Sequence, residues 1–537
     1  MADSVTRWES AGGNNTKSIG GNGYEFSYTD KEGKTQYLQV DYGSMFADTE
    51  KTGLEAYIPE IPKANDILIT HGHMDHVGGI AHLLNLRRGK TTEPLTLHCT
   101  KYSEIMIRNN LTASRIPVEE FPQFHTIEPG KEFEVNGFKV EPFAVSHSIP
   151  EASGFVVESP DGIRCMTMGD FKTAPVPLGN GWDDKAVAEV AKKGIDFMFI
   201  DSTSASSPGY SKGENQVREG LGDVLKQSEG GMIVSAMISS SAHRLHTIAT
   251  SVARYAKETG TKPRTIIIDG ASLINARRAL NKCGYVLEDM VKEQTGVDIK
   301  ILSSGTKGAE QTPPNERFYV CTGTQGEEAS FVKVAEGRNK NISLDVDCPV
   351  HVFNLQSCIP GNETRYKELE GKFQAQGCTT FFPDRYKPNA ITVHASGHSG
   401  AGDVAHACKV VHDNSPRPTK VIPIHGATEQ RNKVMEIAHD AGMNTFLVRN
   451  FASVAIDSEG RATFEKPAKE ETWITVKDAN HDFRKPKYEY GRIGMNIDER
   501  KVRQIGPVYY KKPPFKKKEE TNNVAVQAAV ARRKMQR

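Results

Sequence analysis

The stretch His71-Gly72-His73-Met74-Asp75-His76 decides the chemistry and the fold that we predict for this chain of 537 residues. Its pattern is H-x-H-x-D-H. Imidazole nitrogens and carboxylate oxygens are the ligands that a divalent transition metal such as zinc takes in proteins. Four ligating side chains on one short loop are more than a single metal needs if it keeps a coordination position open for a substrate. The loop therefore predicts two adjacent metals, each held partly by this segment.

The residues around the loop favour a built site over a surface loop that is rich in histidine by chance. Residues 66–70 form a short apolar run with β-branched side chains, which predicts a buried strand directly before His71. Gly78-Gly79 and a segment of helical character, residues 80–86, come after the loop. A loop between a strand and a helix can bring its side chains to one point, so we expect these ligands to converge.

Three ligand-type residues further along the chain would complete such a site. His147, Asp170 and His425 each follow an apolar run that predicts a strand. Taken singly, each is more simply explained as a structural residue, but together with the loop they predict the remaining ligands. Asp170 is the candidate for a carboxylate that bridges both metals. A close pair of metals turns a bridging water into hydroxide near neutral pH and stabilises an in-line displacement, which predicts a hydrolase.

Composition bounds the location and the partners of the protein. Apolar residues make up 37% and charged residues 25%, which is ordinary for a globular protein. The formal net charge of +1 means that any basic surface for a nucleic acid must be local. No stretch approaches the roughly 20 apolar residues that cross a bilayer, and the polar N-terminus lacks a secretory signal, so we expect no membrane contact. The 8 cysteines are scattered without a C-x-x-C pair, which favours a reducing, cytoplasmic location.

The distribution of predicted elements divides the chain into four segments. Its length suggests two large domains. From about residue 213 helices alternate with buried strands, which is typical of a parallel-sheet domain, and the histidine motifs resume after it. We predict a metal-binding domain in two parts, residues 1–212 and 386–450, an inserted α/β domain at residues 213–385, and a C-terminal extension with a basic tail at residues 451–537.

Several segments resemble the metallo-β-lactamase superfamily and, within it, the β-CASP branch that acts on nucleic acids. From about residue 12 to residue 449 the chain is similar to bacterial and archaeal ribonuclease J. The segments that carry this similarity are Ser146-His147-Ser148-Ile149-Pro150, Gly169-Asp170-Phe171-Lys172, Asp201-Ser202-Thr203, Ala242-His243-Arg244, Thr322-Gly323-Thr324-Gln325-Gly326-Glu327, His394-Ala395-Ser396-Gly397-His398 and Pro423-Ile424-His425-Gly426. The resemblance implies an α/β fold: a metallo-β-lactamase αββα sandwich with an inserted α/β β-CASP domain and a short C-terminal extension.

The resemblance also implies roles for individual residues. The implied holders of two divalent metal ions are His71, His73, His147 and Asp170 for the first ion, and Asp75, His76, Asp170 and His425 for the second. Zinc is the first choice of metal, with manganese or magnesium as alternatives. The catalytic candidates are Asp75, His398 and Asp201. In the family His398 would face the scissile phosphate and protonate the leaving oxygen, while Asp201 would orient nearby ligands.

A pocket for the 5′-monophosphate of RNA is a further implication of the resemblance. Ser240, Ser241, His394 and Ser396 would line it. The family usually has Asn where this chain has Ser241, and a hydroxyl has a shorter reach than an amide. The strength of the selection for a 5′-phosphate therefore depends on this position.

The leading hypothesis is a metal-dependent ribonuclease that acts in RNA maturation and decay. It would degrade single-stranded RNA from 5′ to 3′ with some endonuclease activity, as a homodimer or a homotetramer. A DNA-processing β-CASP nuclease is the alternative, because the sequence does not expose how a 2′-hydroxyl would be recognised. A small-molecule metallo-hydrolase is less favoured, because it would need neither the inserted domain nor His398. An inactive scaffold protein is also less favoured, because it would have lost a metal ligand, whereas every matched ligand position is filled here.

The segment after residue 448 matches nothing that we can place. Trp473, Tyr488, Tyr490, Tyr509 and Tyr510 lie among Lys and Arg and could stack on RNA bases. A small packed extension with a solvated basic tail is the favoured interpretation, because a run of charge usually marks a solvated surface.

Overall fold

The architecture is described for most of the chain in a computed structural model. The described residues are 4–14, 20–46, 56–359, 361–384, 391–457, 459–465, 473–477 and 487–491. Tyr509, Tyr510 and the basic tail of the predicted C-terminal extension lie outside them. No helix within these ranges is long and apolar enough to cross a membrane.

The described elements are numbered here in chain order. The strands are β1 Val5–Gly12, β2 Gly23–Thr29, β3 Thr35–Val40, β4 Met45–Phe46, β5 Ala56–Ile58, β6 Asp66–Leu68, β7 Thr96–Cys99, β8 Gln123–Thr126, β9 Phe133–Val135, β10 Phe138–Ala144, β11 Ser153–Glu158, β12 Arg164–Thr167, β13 Phe197–Asp201, β14 Met232–Ala236, β15 Thr265–Asp269, β16 Ile301–Ser303, β17 Arg317–Cys321, β18 Val350–Asn354, β19 Thr379–Phe381, β20 Lys420–Ile424, β21 Asn444–Thr445, β22 Ser453–Asp457, β23 Ala462–Glu465, β24 Trp473–Lys477 and β25 Lys487–Gly491. The α-helices are α1 Met74–Val77, α2 Ile80–Arg87, α3 Lys101–Ala113, α4 Asp184–Lys192, α5 Glu214–Gln227, α6 Ala242–Thr259, α7 Ala271–Lys282, α8 Leu287–Thr295, α9 Lys307–Glu310, α10 Ser330–Ala335, α11 Glu363–Gln374, α12 Ala401–Asn414 and α13 Thr428–Asp440. Short 3-10 turns occupy Val118–Glu120 and Pro314–Glu316.

Two mixed sheets pack face to face and form the metal-binding half of the fold. The first has the strand order β23-β22-β1-β2-β3-β6-β7-β8, and the second has the order β21-β20-β13-β12-β11-β10-β9. Along β1 every second residue is buried, as expected for a strand with one face against a core. The Trp8 ring of β1 stacks on Phe199 of β13 with 4.4 Å between the ring centroids. This contact joins the inner faces of the two sheets.

Helices cover the outer faces of both sheets. Ile80 and Leu83 of α2 belong to one apolar cluster with Leu97 of β7. Val187 of α4 and Val434 of α13 lie in the cluster on the far side of the second sheet. The layers are therefore helix, sheet, sheet, helix, and the predicted αββα sandwich is confirmed.

A third sheet forms the inserted domain. Its six strands are all parallel and follow the order β16-β15-β17-β14-β18-β19. All five residues of β15 are buried, as is typical of a parallel strand covered by helices on both faces. β13 and β20, which flank this part of the chain, pair directly with each other in the second sheet. The chain therefore leaves the sandwich after β13 and returns at β20, as the sequence predicts for an insertion.

The described residues after 450 pair with strands of the sandwich, a contact that the predicted C-terminal extension did not specify. β22 pairs antiparallel with β1, and β23 pairs with β22, so residues 453–465 form the edge of the first sheet. β24 and β25 belong to a small sheet with β4 and β5. The sequence pattern did not show this because strand pairing joins segments from opposite ends of the chain. The predicted domain boundaries themselves stay a prediction.

Candidate metal centre and active site

The histidine-rich loop connects β6 to α2 through the single turn of α1. His71 and His73 precede this turn, and Asp75 and His76 lie within it. Gly79 has no room for a side chain, because a Cβ atom there would lie 2.6 Å from Cδ1 of Tyr42. This tight packing holds the loop against the end of the first sheet.

Three histidines form the first cluster of the site. Nε2 of His71 and Nε2 of His147 each lie 3.0 Å from Nδ1 of His73. Nδ1 of His147 donates to the carbonyl oxygen of Gly397 at 2.8 Å, so Nε2 presents its lone pair to the cluster. Burial is the largest cause that lowers the pKa of these rings, that of His73 to about 4. All three are therefore neutral at neutral pH, which is the state in which imidazole binds a metal.

Two carboxylates and two histidines form the second cluster. Nε2 of His76 lies 3.2 Å from Oδ2 of Asp170 and 3.7 Å from Oδ2 of Asp75. His425 faces both acids, with Nδ1 2.8 Å from Oδ1 of Asp170 and Nε2 3.2 Å from Oδ2 of Asp75. The Asp75 side chain is 33% exposed, whereas the other three are almost fully buried. The second cluster is therefore open to a substrate on the side of Asp75.

Asp170 lies between the two clusters. It follows β12 through Gly169, whose φ of +59° a residue with a side chain rarely adopts. Its Oδ2 lies 3.8 Å from Nε2 of both His71 and His147. Burial alone would raise the pKa of this carboxyl, but the histidines around it outweigh burial and hold the pKa well below its usual range. An ionised carboxylate that reaches both clusters has the placement that a bridging ligand needs.

His398 and Asp201 form a hydrogen-bonded pair beside the second cluster. Nδ1 of His398 lies 2.9 Å from Oδ2 of Asp201, which is fully buried at the end of β13. Oδ1 of Asp201 accepts a hydrogen bond from the amide of Thr203 at 2.8 Å. Burial would lower the pKa of His398, but the carboxylates of Asp201 and Asp170 outweigh it and raise that pKa. Because Nδ1 of His398 is bonded to Asp201, Nε2 is the ring nitrogen that can exchange a proton with a substrate.

The donor set of the two clusters fits divalent cations. The ligand atoms within each cluster lie within 4.8 Å of one another. Nε2 of His73 is buried and has no hydrogen-bond partner among the described residues. A buried carboxylate such as Asp170 is costly without a nearby positive charge, and a divalent cation bound between the clusters would supply one. Converging imidazole lone pairs and carboxylates are the ligands that divalent transition metals take.

Comparisons with known proteins agree with this geometry. Residues 51–235 match the family model of the beta-lactamase superfamily domain, and residues 230–369 match that of the ribonuclease J beta-CASP domain. Ribonuclease J 1 of Streptococcus pyogenes is 27% identical over 454 residues, which are 82% of this chain and 73% of that protein. Ribonuclease J of Thermus thermophilus is 26% identical over 449 residues, 81% of this chain and 71% of that protein. The chain therefore combines a metallo-β-lactamase superfamily domain with a ribonuclease J β-CASP domain, and it is similar to ribonuclease J over about 80% of its length.

A solved structure shares the fold of this β-CASP protein. It is a protein of unknown function from Enterococcus faecalis, with a TM-score of 0.51 and 12% sequence identity. The match covers 85% of this chain and 100% of the other. At this identity the likeness concerns the fold alone.

Two residues that support the metal centre of this β-CASP protein escaped the sequence analysis. Oδ2 of Asp41 lies 2.7 Å from Nδ1 of His76 and also accepts from Oγ1 of Thr70 at 2.8 Å. Oγ1 of Thr203 lies 2.9 Å from Nδ1 of His425. The available signal was their position near strand ends, since Asp41 directly follows β3 and Thr203 lies two residues after β13. Both contacts fix the orientation of a candidate ligand ring, which is how residues behind a metal site tune it.

The candidates for the 5′-phosphate pocket lie on two segments of the β-CASP protein. Ser240 and Ser241 precede α6, and His394 and Ser396 precede His398. Nη1 of Arg244, in the first turn of α6, donates to the carbonyl of Val393 at 2.7 Å, which ties the start of α6 to the second segment. The role of these four residues stays a prediction.

Proposed function

We propose that the protein is a metal-dependent ribonuclease that hydrolyses single-stranded RNA from the 5′ end and also cuts internally, in RNA maturation and decay. The observation that carries the proposal is the pair His398–Asp201 set against two clusters of metal-ligating side chains. The clusters alone suit any metallo-hydrolase of this superfamily. The pair adds a proton donor beside them, which a phosphodiester needs at its leaving oxygen.

The two cations would be held by the residues that the sequence analysis assigns. His71, His73, His147 and Asp170 surround the first position, and Asp75, His76, Asp170 and His425 surround the second. When bound, the cations supply an activated water and positive charge for the phosphate oxygens. Zinc suits the nitrogen-rich first position, and manganese or magnesium would suit the carboxylates of the second.

His398 would act as the general acid. The hydrogen bond from Nδ1 to Asp201 fixes the ring, so that the proton on Nε2 is the one available for transfer. Asp201 would then be a positioning residue, because it is fully buried and cannot touch the substrate. Its negative charge stabilises the protonated ring before transfer.

The direction of cleavage would follow from the capture of the 5′ end. Ser240, Ser241, His394 and Ser396 offer hydroxyl and imidazole groups that can bind a terminal phosphate. Oγ of Ser396 accepts from the amide of His398 at 3.1 Å. A phosphate bound at Ser396 would therefore lie close to the general acid, and the next phosphodiester could reach the metals.

Matched single strands of RNA and DNA test the proposal. Each is labelled at the 3′ end, carries either a 5′-monophosphate or a 5′-hydroxyl, and is incubated with the full chain and zinc, manganese or magnesium. We expect 5′-phosphorylated RNA to release mononucleotides from its 5′ end, and 5′-hydroxyl RNA to react more slowly. Cleavage of DNA alone would identify a DNA-processing nuclease, and cleavage of neither would refute the nuclease proposal.

Assembly and location belong to the same proposal. We expect a homodimer or a homotetramer in the cytoplasm, on the basis of the ribonuclease J resemblance and of the scattered cysteines. Light scattering on the purified full chain measures the assembly. A monomer at micromolar concentration would contradict it without affecting the catalytic proposal.

A further inference from the structure

A cavity of about 200 Å³ lies outside the metal centre. Its walls are α5, α6, the end of α8 and residues 175–177. Its polar side chains include Arg218, His246, Thr250 and Arg254. None of the candidate metal ligands and none of the four 5′-phosphate candidates lines it. The proposed nuclease reaction therefore leaves this cavity unexplained.

The cavity carries an excess of positive charge. Within the described part of the chain, neither Arg218 nor Arg254 forms an ion pair with a carboxylate. Nη1 of Arg218 donates to the neutral Oδ1 of Asn215 at 2.9 Å. Burial, and next the charge of Arg254, lower the pKa of Arg218, so the two guanidinium groups are near enough to repel each other. A site that holds two like charges together gains stability when an anion binds between them.

The acidic residue Glu214 also lines the cavity, but its charge is already compensated. Its Oε1 lies 3.0 Å from Nη2 of Arg244, and its Oε2 accepts from Oγ1 of Thr247 at 2.6 Å. Burial would raise the pKa of Glu214, but Arg244 outweighs it and lowers the pKa to about 2. The ion pair of Glu214 with Arg244 leaves Arg218 and Arg254 as the charged groups of the cavity lining that form no ion pair among the described residues, although Glu219, outside the lining, also acts on Arg218.

A buried hydroxyl on α6 points to a missing partner. Thr247 and Ser251 donate to the carbonyls four residues earlier, at 3.1 and 2.8 Å, as hydroxyls in helices commonly do. Thr250 is only 3% exposed, yet its Oγ1 has no hydrogen-bond partner among the described residues. The ring of His246, one turn earlier, forms a side-chain hydrogen bond with Gln294 of the same cavity, so the Thr250 hydroxyl is the clearer unsatisfied group. A buried hydroxyl left without a partner is unfavourable, so a ligand that bonds to it is favoured.

We propose that this cavity binds a phosphate group. Two guanidinium groups match the oxygens of phosphate in paired hydrogen bonds, and the Thr250 hydroxyl adds a donor. The volume is below the 300–1,000 Å³ or so of pockets for drug-sized ligands, so a phosphate fits and an attached nucleoside would extend outside. The phosphate can come from free orthophosphate, from a nucleoside monophosphate or from an RNA backbone. The site does not depend on the proposed nuclease function.

Titration calorimetry with orthophosphate tests the site on the metal-loaded full chain. Arg254→Gln is the first variant, because Arg254 is exposed and its replacement leaves the core intact. Arg278→Gln is the matched control, since Arg278 also lies on a helix and has Nη1 3.5 Å from Oδ1 of the asparagine three residues earlier. Any phosphate bound at the metals contributes equally to all variants. We expect one binding event to weaken at least about tenfold in Arg254→Gln and to be unchanged in Arg278→Gln.

A second variant and two further probes complete the test. Thr250→Val keeps the shape of the side chain, removes the hydroxyl and should weaken the same event. A nucleoside 5′-monophosphate that binds more tightly than orthophosphate, with the same loss in Arg254→Gln, would identify the mononucleotide as the source. If Arg254→Gln weakens the binding of single-stranded RNA more than the binding of orthophosphate, the RNA backbone would be identified as the source of the phosphate. Identical isotherms for the wild type, Arg254→Gln and Thr250→Val with all three probes would overturn the proposal.

Discussion

At the residue scale, buried carboxylates organise the site. Asp170 reaches both histidine clusters, and Asp201 holds His398 through Oδ2 while its Oδ1 lies 3.4 Å from Nδ1 of His425. Asp41 performs a similar function behind His76. Burial is outweighed by nearby histidines, which lower the pKa of Asp170 and of Asp201, and each of the three acids faces at least one imidazole. Bound divalent cations would compensate the negative charge of these acids.

Replacement of Asp75 by alanine should abolish cleavage and leave the fold intact. Asp75 contributes a ligand to the second cluster only, and its partial exposure means that no core cavity forms. RNA cleavage should fall below detection, and the metal content by mass spectrometry should fall from two ions to about one per chain. Asp413→Ala removes an exposed acid and serves as the control. Normal cleavage by Asp75→Ala would contradict the assignment of the second metal.

Replacement of His398 by alanine should reduce kcat by about 10²- to 10⁴-fold, with both metals retained. The reason is that His398 donates a proton but is not needed for either cluster. Asp201→Asn should reduce kcat less, and the double variant should be no slower than His398→Ala, because the two residues act as a unit. Single-turnover kinetics on 5′-phosphorylated RNA measures these rates, with the exposed His412→Ala as control. Fully additive losses would show that Asp201 acts independently of His398.

At the scale of elements, the late strand β22 completes the first sheet. Its residues Val454 and Ile456 are fully buried and belong to the same apolar cluster as Trp8 of β1. The pairing covers the edge of β1, which would otherwise present unpaired amide and carbonyl groups. The sandwich that positions the metal loop therefore depends on residues from beyond the last catalytic motif.

Replacement of Ile456 by alanine should lower the free energy of unfolding by about 2–5 kcal/mol, because it removes buried methyl groups from a packed core. Chemical denaturation measures the change through the midpoint at constant slope. Arg461→Ala, at an exposed position of the same hairpin, should change stability by less than about 0.5 kcal/mol. A similar loss in both variants would indicate that the hairpin as a whole frays.

At the scale of the molecule, the metal centre links segments that are far apart in the chain. His71 and His147 come from the first part of the sandwich, and His425 directly follows β20, after the inserted domain. Cations that bind these residues in the folded state but not in the unfolded chain stabilise the whole fold by linkage.

Removal of the metals with a chelator should therefore lower Tm. At a metal concentration 100 times the dissociation constant, one site contributes about 2.7 kcal/mol. Scanning calorimetry with and without chelator measures the shift, and added zinc or manganese should reverse it. Asp75→Ala, which lacks a ligand of the second metal, should show a smaller shift. An unchanged Tm after verified metal removal would contradict a structural contribution of the metals.

The sequence by itself predicted, from local patterns, a ligand-rich loop after an apolar strand, single acids and histidines at strand ends, and an inserted α/β domain between two halves of one motif series. The superfamily and the αββα sandwich came from the resemblance that these motifs carry, and the roles of the site residues stay a prediction. Only the tertiary structure decided which atoms meet. That Asp170 reaches both clusters, that Asp41 and Thr203 hold ligand rings, and that β22 closes the first sheet all depend on contacts across long stretches of chain. Such contacts arise when two sheets pack and twist against each other, and no local pattern specifies the resulting distances.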